Sequence, residues 1–141
     1  MKTSTKRSNQ ITGNVGMYFA CYHLSRLGLN VLPTSRNAKG ADIVAYTPDQ
    51  TRFLTFQVKT MSKLSNIDLG KSLDDIRSDW WIIVTNAYDL PTAYILTPNE
   101  LKATAKVYDE RHWAQGTKFD TEATRNAWGR ILTHLDVAAS R

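Results

Sequence analysis

Between Gly40 and Thr60 the chain reads GADIVAYTPDQTRFLTFQVKT, two β-type runs separated by Pro48-Asp49-Gln50. That pattern predicts a hairpin. Pairing Thr47 with Arg52 across the turn sets Asp42 opposite Gln57, with Lys59 one diagonal step away. A slip of one residue would reverse the face each strand presents, so the register is tightly constrained. Gln57 and Lys59 are two apart on one strand and share a face. An acid, an amide and a lysine on one sheet face are costly to bury without partners. They therefore mark a site rather than core.

The elements around this hairpin follow from periodicity. Asn9 to Leu27 reads as a helix, with one stripe at Ile11, Val15, Tyr18 and Tyr22 and a second at Gly13, Gly16, Met17, Ala20, Leu24 and Leu27. Two apolar stripes predict a mostly buried helix, and the small residues of the second predict close packing on a sheet. Gly28 is the expected stop. A short strand at Asn30–Pro33 leads into a polar loop, Thr34 to Lys39. Ser62 to Asp79 reads as loop, with or without a short helix. Trp80 to Thr85 and Ala93 to Leu96 read as strands about a turn at Asp89-Leu90-Pro91. Thr97-Pro98-Asn99-Glu100 has the form of a capping box and predicts a helix to about Tyr108. Asp120 is the expected cap of a last helix with a core stripe at Ala123, Ala127, Ile131 and Leu135. The order of elements predicts an α/β or α+β fold, a mixed sheet covered by helices.

No repeat or linker divides the 141 residues, so one domain over 1–141 is expected, with 1–8 as a mobile basic tail. The first ten residues lack an apolar signal core and no run is long enough to span a bilayer, so a cytoplasmic protein with no membrane partner is expected. A lone cysteine, Cys21, rules out an internal disulfide and suits a reducing compartment. The 18 basic residues outnumber the 13 acidic ones, a modest excess compatible with a polyanionic partner. Ten of the basic residues cluster in the first half, around the hairpin. His23, His112 and His134 have no zinc spacing, and the four tryptophans are expected in the core or at a subunit interface.

Chemically, Asp42 can ligate a divalent metal, with Gln57 and the Val58 backbone carbonyl as further oxygens. Lys59 can orient a water or stabilise developing negative charge. Together these are parts for phosphodiester hydrolysis. Arg36, Lys39 and Lys63 are the candidate phosphate-backbone contacts.

The sequence from Ile11 to about Leu96 resembles the PD-(D/E)xK superfamily of nucleases, which includes restriction endonucleases, archaeal Holliday-junction resolvases and intron-encoded homing endonucleases. ITGNVGMYFACYHLSRLGLNVLPTSRNAKGADIVAY is similar to that family's first helix, strand and metal-binding aspartate, and FQVKT to its second motif. The resemblance implies a restriction-endonuclease-like αβββαβ core, a central mixed sheet flanked by helices. It implies Asp42 as the metal-binding aspartate, Lys59 as the catalytic lysine, Mg²⁺ or Mn²⁺ as cofactor, DNA as partner and a homodimer. Two positions depart from the pattern. Gln57 stands where most members carry Asp or Glu, and Met17 where many carry a glutamate after G-x-x-G. A site with one carboxylate would hold its cation weakly. The alternatives are therefore a catalytically inactive nucleic-acid-binding relative, or an interaction or immunity module that keeps only the fold.

Overall fold

A side chain on Gly16 would place its Cβ 1.7 Å from Thr60 Oγ1, so the first helix can lie against the sheet only because this position has none. The computed structural model describes residues 8–35 and 41–139, of which 137–139 are described by backbone alone. Helix α1 (Asn9–Arg26) starts at Ser8, whose hydroxyl accepts the Ile11 N–H at 3.1 Å, and ends at Gly28, which takes a φ of 92°. The second stripe faces inward: Gly16, Ala20 and Leu24 are buried. The first stripe does not, since Ile11, Tyr18 and Tyr22 are 53%, 68% and 58% exposed. The helix thus lies on the sheet by one face, and tyrosine, amphipathic by nature, fills the outer stripe.

Five strands form the main sheet in the order β1 (Asn30–Pro33), β2 (Ile43–Tyr46), β3 (Phe53–Thr60), β5 (Trp80–Thr85) and β6 (Thr92–Leu96). The β3/β5 pair is parallel and the others antiparallel, which makes the sheet mixed. Between the parallel strands the chain crosses over through β4 (Ile67–Gly70) and a single 3₁₀ turn at Leu73–Asp75. The hairpin keeps the expected register from Ile43 opposite Phe56 to Tyr46 opposite Phe53. Its turn is closed by Asp49, which accepts from the Thr47 and Thr51 hydroxyls.

Alternation along the strands builds two cores. One face carries Ile43, Ala45, Leu54, Phe56, Ile82, Val84 and Ile95 under Ala20 and Leu24 of α1 and Ile131 and Leu135 of α4 (Gly129–Ala139). The other carries Trp81, Ile83, Tyr94 and Leu96. It is covered by Leu101 of α2 (Pro98–Ala103), Phe119 of α3 (Gly116–Phe119) and a small second sheet. The fold is mixed α/β, a central mixed sheet flanked by helices.

The second sheet, β4-β8-β7, was not expected. The capping box forms as read, with Thr97 and Glu100 exchanging bonds, but α2 stops at Ala103. The residues expected to continue it form β7 (Ala105–Tyr108), paired with β8 (Arg111–Ala114). Thr104 ends the helix by turning its hydroxyl back onto the Leu101 carbonyl at 2.7 Å. Asp120 does not cap the last helix either. Its carboxylate takes the Arg125 guanidinium, Ala123 is exposed, and α4 begins only at Gly129.

Candidate functional site

Asp42 sits just before the first paired residue of β2, where the chain bends. Its N–H donates to the Phe56 carbonyl at 2.8 Å and its Oδ2 accepts the Val58 N–H at 2.8 Å. The two bonds flank Gln57, and the regular ladder stops one residue short of the expected Asp42/Gln57 pair. In its place the acid grips the peptides on either side of Gln57. The even residues of β3 turn their backbone polar groups toward β2, because the odd ones serve the parallel neighbour. The Val58 carbonyl therefore points past the end of β2. The approach from β1 is pinned as well: Thr34 donates its N–H to the Asp42 carbonyl at 2.9 Å and its hydroxyl to the Ala41 carbonyl at 2.7 Å.

A cleft of about 370 Å³ opens here, walled by Asn14, Met17 and Tyr18 of α1 and by Thr34, Asp42 and Val58. Asp42 is the one carboxylate among its described lining residues. More widely, no group of three or more His, Cys, Asp or Glu able to hold a metal occurs among the described residues. Asp42 and Val58 are thus brought together at the cleft. Gln57 and Lys59 are not part of its wall. They occupy the β3 positions that pair with Trp81 and Ile83, whose side chains lie in the core away from α1. Lys63 is exposed in the segment after β3. Arg36 and Lys39 lie outside the described residues, as does the basic tail up to Arg7.

On the outer side of the second sheet, Asp68 of β4 is gripped by Arg111 of β8, with Nε 3.0 Å from both carboxylate oxygens. The Arg111 hydrogen bonds hold the Asp68 carboxyl below the ordinary carboxylate range, helped by the Gly70 N–H and by the charges of Arg111 and Lys59, against a small opposing effect of burial. Lys59 is thus an electrostatic neighbour of the second sheet. Sequence reasoning missed Asn14 and Thr34 as cleft residues. The spacing of Gln10, Asn14 and Tyr18 along one helix face was the available signal for Asn14.

The other candidates are structural. His23 stacks on Trp128 with ring centroids 4.7 Å apart. Trp80 and Trp81 are buried, and Arg130 lies over the Trp80 ring while holding Glu100. No described helix is long and apolar enough to cross a membrane.

No protein-family model matches the chain, and no curated protein matches it. Among solved structures, the chain is similar to a bacterial homing endonuclease, I-Ssp6803I. The two superpose with a TM-score of 0.64 at 16% identity, over 93% of this chain and 97% of that one. At that identity the likeness establishes a shared fold over nearly the whole of both chains.

Proposed function

We propose that the chain is a DNA-binding nuclease of the PD-(D/E)xK type that hydrolyses phosphodiester bonds with Mg²⁺ or Mn²⁺. One observation carries the reading. The bond from Val58 N–H to Asp42 fixes a carboxylate beside a backbone carbonyl at the rim of an open cleft, in a fold shared with a homing endonuclease. The donors fit a hard cation, since magnesium is commonly held by one or two carboxylates completed by water and substrate phosphate. Asp42 and the Val58 carbonyl would hold it, while Gln57 lies on the other face of β3 and is not among the ligands. When bound, such an ion supplies Lewis acidity and a more acidic water. Lys59 leaves β3 on that other face, so on this reading it would stabilise the negative charge of a scissile phosphate that reaches around the strand. Arg36, Lys39 and Lys63 bind the backbone without reading sequence. A homodimer presenting two such sites would address both strands.

The test is cleavage of linear, nicked and branched DNA in Mg²⁺ or Mn²⁺ by the wild type, Asp42→Ala and Lys59→Ala. Loss of cleavage in both variants is expected. Activity surviving both substitutions refutes the assignment. The second reading, a relative that binds DNA without cutting it, is favoured by Met17, which lines the cleft where a further carboxylate would strengthen metal binding. Salt-sensitive binding with no metal-dependent cleavage by the wild type would select it.

A further inference from the structure

The outer face of the second sheet carries a constellation that neither the hairpin site nor either core uses. Lys106 pairs with Trp113, Tyr108 with Arg111, and Asp68 with Trp113, so these five side chains share one face across three strands. Asn66, Lys106, Tyr108 and Trp113 line a cleft of about 380 Å³. Tyr108 is 69% exposed. The Trp113 Nε1 is shut away from solvent and finds no acceptor among the described residues. Asn66 has its Oδ1 occupied by the Gly116 N–H at 2.9 Å, which leaves its amide NH₂ as the group available to a ligand.

Two aromatic rings, one lysine free of any described ion pair and the amide NH₂ of Asn66 suit a nucleotide. Rings stack on any base, lysine takes one phosphate, and N–H donors meet the acceptors of a base edge. The acids at the hairpin tip argue against a duplex. Asp109 and Glu110, both exposed and at positive φ, cap the β7–β8 ribbon and repel a phosphate backbone running along it.

We propose that this face is a subsite for a single unpaired nucleotide of the DNA substrate. The base stacks on Tyr108 and Trp113, the phosphate sits on Lys106 and Asn66 meets the base edge. The inference deepens the nuclease reading and rests on it for the identity of the polymer. It makes DNA with unpaired residues, such as branches, flaps and gaps, the preferred substrate class.

The test is fluorescence anisotropy with labelled oligothymidylate and a blunt duplex of equal length, without divalent metal. Tyr108 and Lys106 are exposed, so their replacement leaves the fold intact, and melting temperatures check this. Tyr108→Ala is expected to weaken oligothymidylate binding about ten-fold, and Lys106→Ala to weaken it and lower its salt dependence. Neither should change duplex binding. Unchanged oligothymidylate affinity in both variants overturns the subsite, and so does an equal loss on the blunt duplex. Tyr108-dependent binding by a wild type that cuts nothing would support the subsite while removing the nuclease reading, so the two failures are distinguishable.

Discussion

The Asp42 carboxylate accepts the Val58 backbone N–H at 2.8 Å where β2 stops pairing with β3. The same bond gives the acid a structural and a chemical role, and the two are separable. Asp42→Asn keeps an oxygen for the Val58 N–H and removes the charge. It is expected to fold with nearly wild-type stability and to cut DNA at least about two orders of magnitude more slowly. Asp42→Ala loses the bond as well and is expected to cost about 1–2 kcal/mol in urea denaturation. Equal cleavage by the asparagine variant and the wild type would assign Asp42 to structure alone.

The helix–sheet contact at Gly16 yields a prediction in which two similar substitutions act oppositely. Gly16→Ala drives a methyl group into Thr60, whose Cβ and Cγ2 lie 2.7 Å from the new atom, and the strand backbone leaves little room to yield. A loss of about 1–3 kcal/mol is expected, as for other overpacked sites. Gly13→Ala, three residues earlier on the same helix, meets nothing within 4 Å. It is expected to gain about 0.5–1 kcal/mol from helix propensity. Thermal or chemical denaturation of both variants decides the matter, and a destabilised Gly13→Ala would contradict the packing described.

Where the sequence was legible, the reason is physical. Helix α1, β1, the hairpin, β5 and β6 carry strong periodicity or unbroken apolar runs, and Gly28 and the Pro48-Asp49-Gln50 turn punctuate them. The small sheet was hidden because its strands are four residues each and its hairpin turns at Asp109-Glu110, without the Asn-Gly or Asp-Gly pair that usually signals such a turn. The outer stripe of α1 was misread because Ile11, Tyr18 and Tyr22 have the spacing of a core face and only tertiary packing decides which stripe turns inward. At the site, the hairpin register was readable from alternation. The break at Asp42 was not, because it depends on a side chain replacing a ladder bond.

Glu100 predicts a pH response. Burial pushes its carboxyl upward, but hydrogen bonds from Arg130 and the Thr97 N–H, with the Arg130 charge, outweigh that and hold it below its ordinary value of 4.5. A folded-state value below the unfolded one means that the stabilisation is full above about pH 4.5 and is lost as the pH falls through the lower folded value. The pair is partly solvated, so screening limits the effect to about 1 kcal/mol or less. In Glu100→Gln, melting temperature is expected to fall less steeply between pH 5 and pH 3 than in the wild type. Parallel profiles would show that the Arg130 contact contributes nothing to stability.

The three candidate phosphate contacts make a prediction about salt rather than about rate. If Arg36, Lys39 and Lys63 each neutralise one phosphate, each contributes about 0.9 to the slope of log affinity against log salt on duplex DNA. Replacing all three by alanine should lower the slope by about 2 to 3 and weaken unrelated sequences to the same extent, because phosphate contacts carry no base information. Anisotropy titrations over a range of NaCl concentrations measure both quantities. An unchanged slope would place the phosphate backbone elsewhere on the protein. A loss confined to one sequence would instead assign these side chains to base edges, where discrimination and not salt dependence should change.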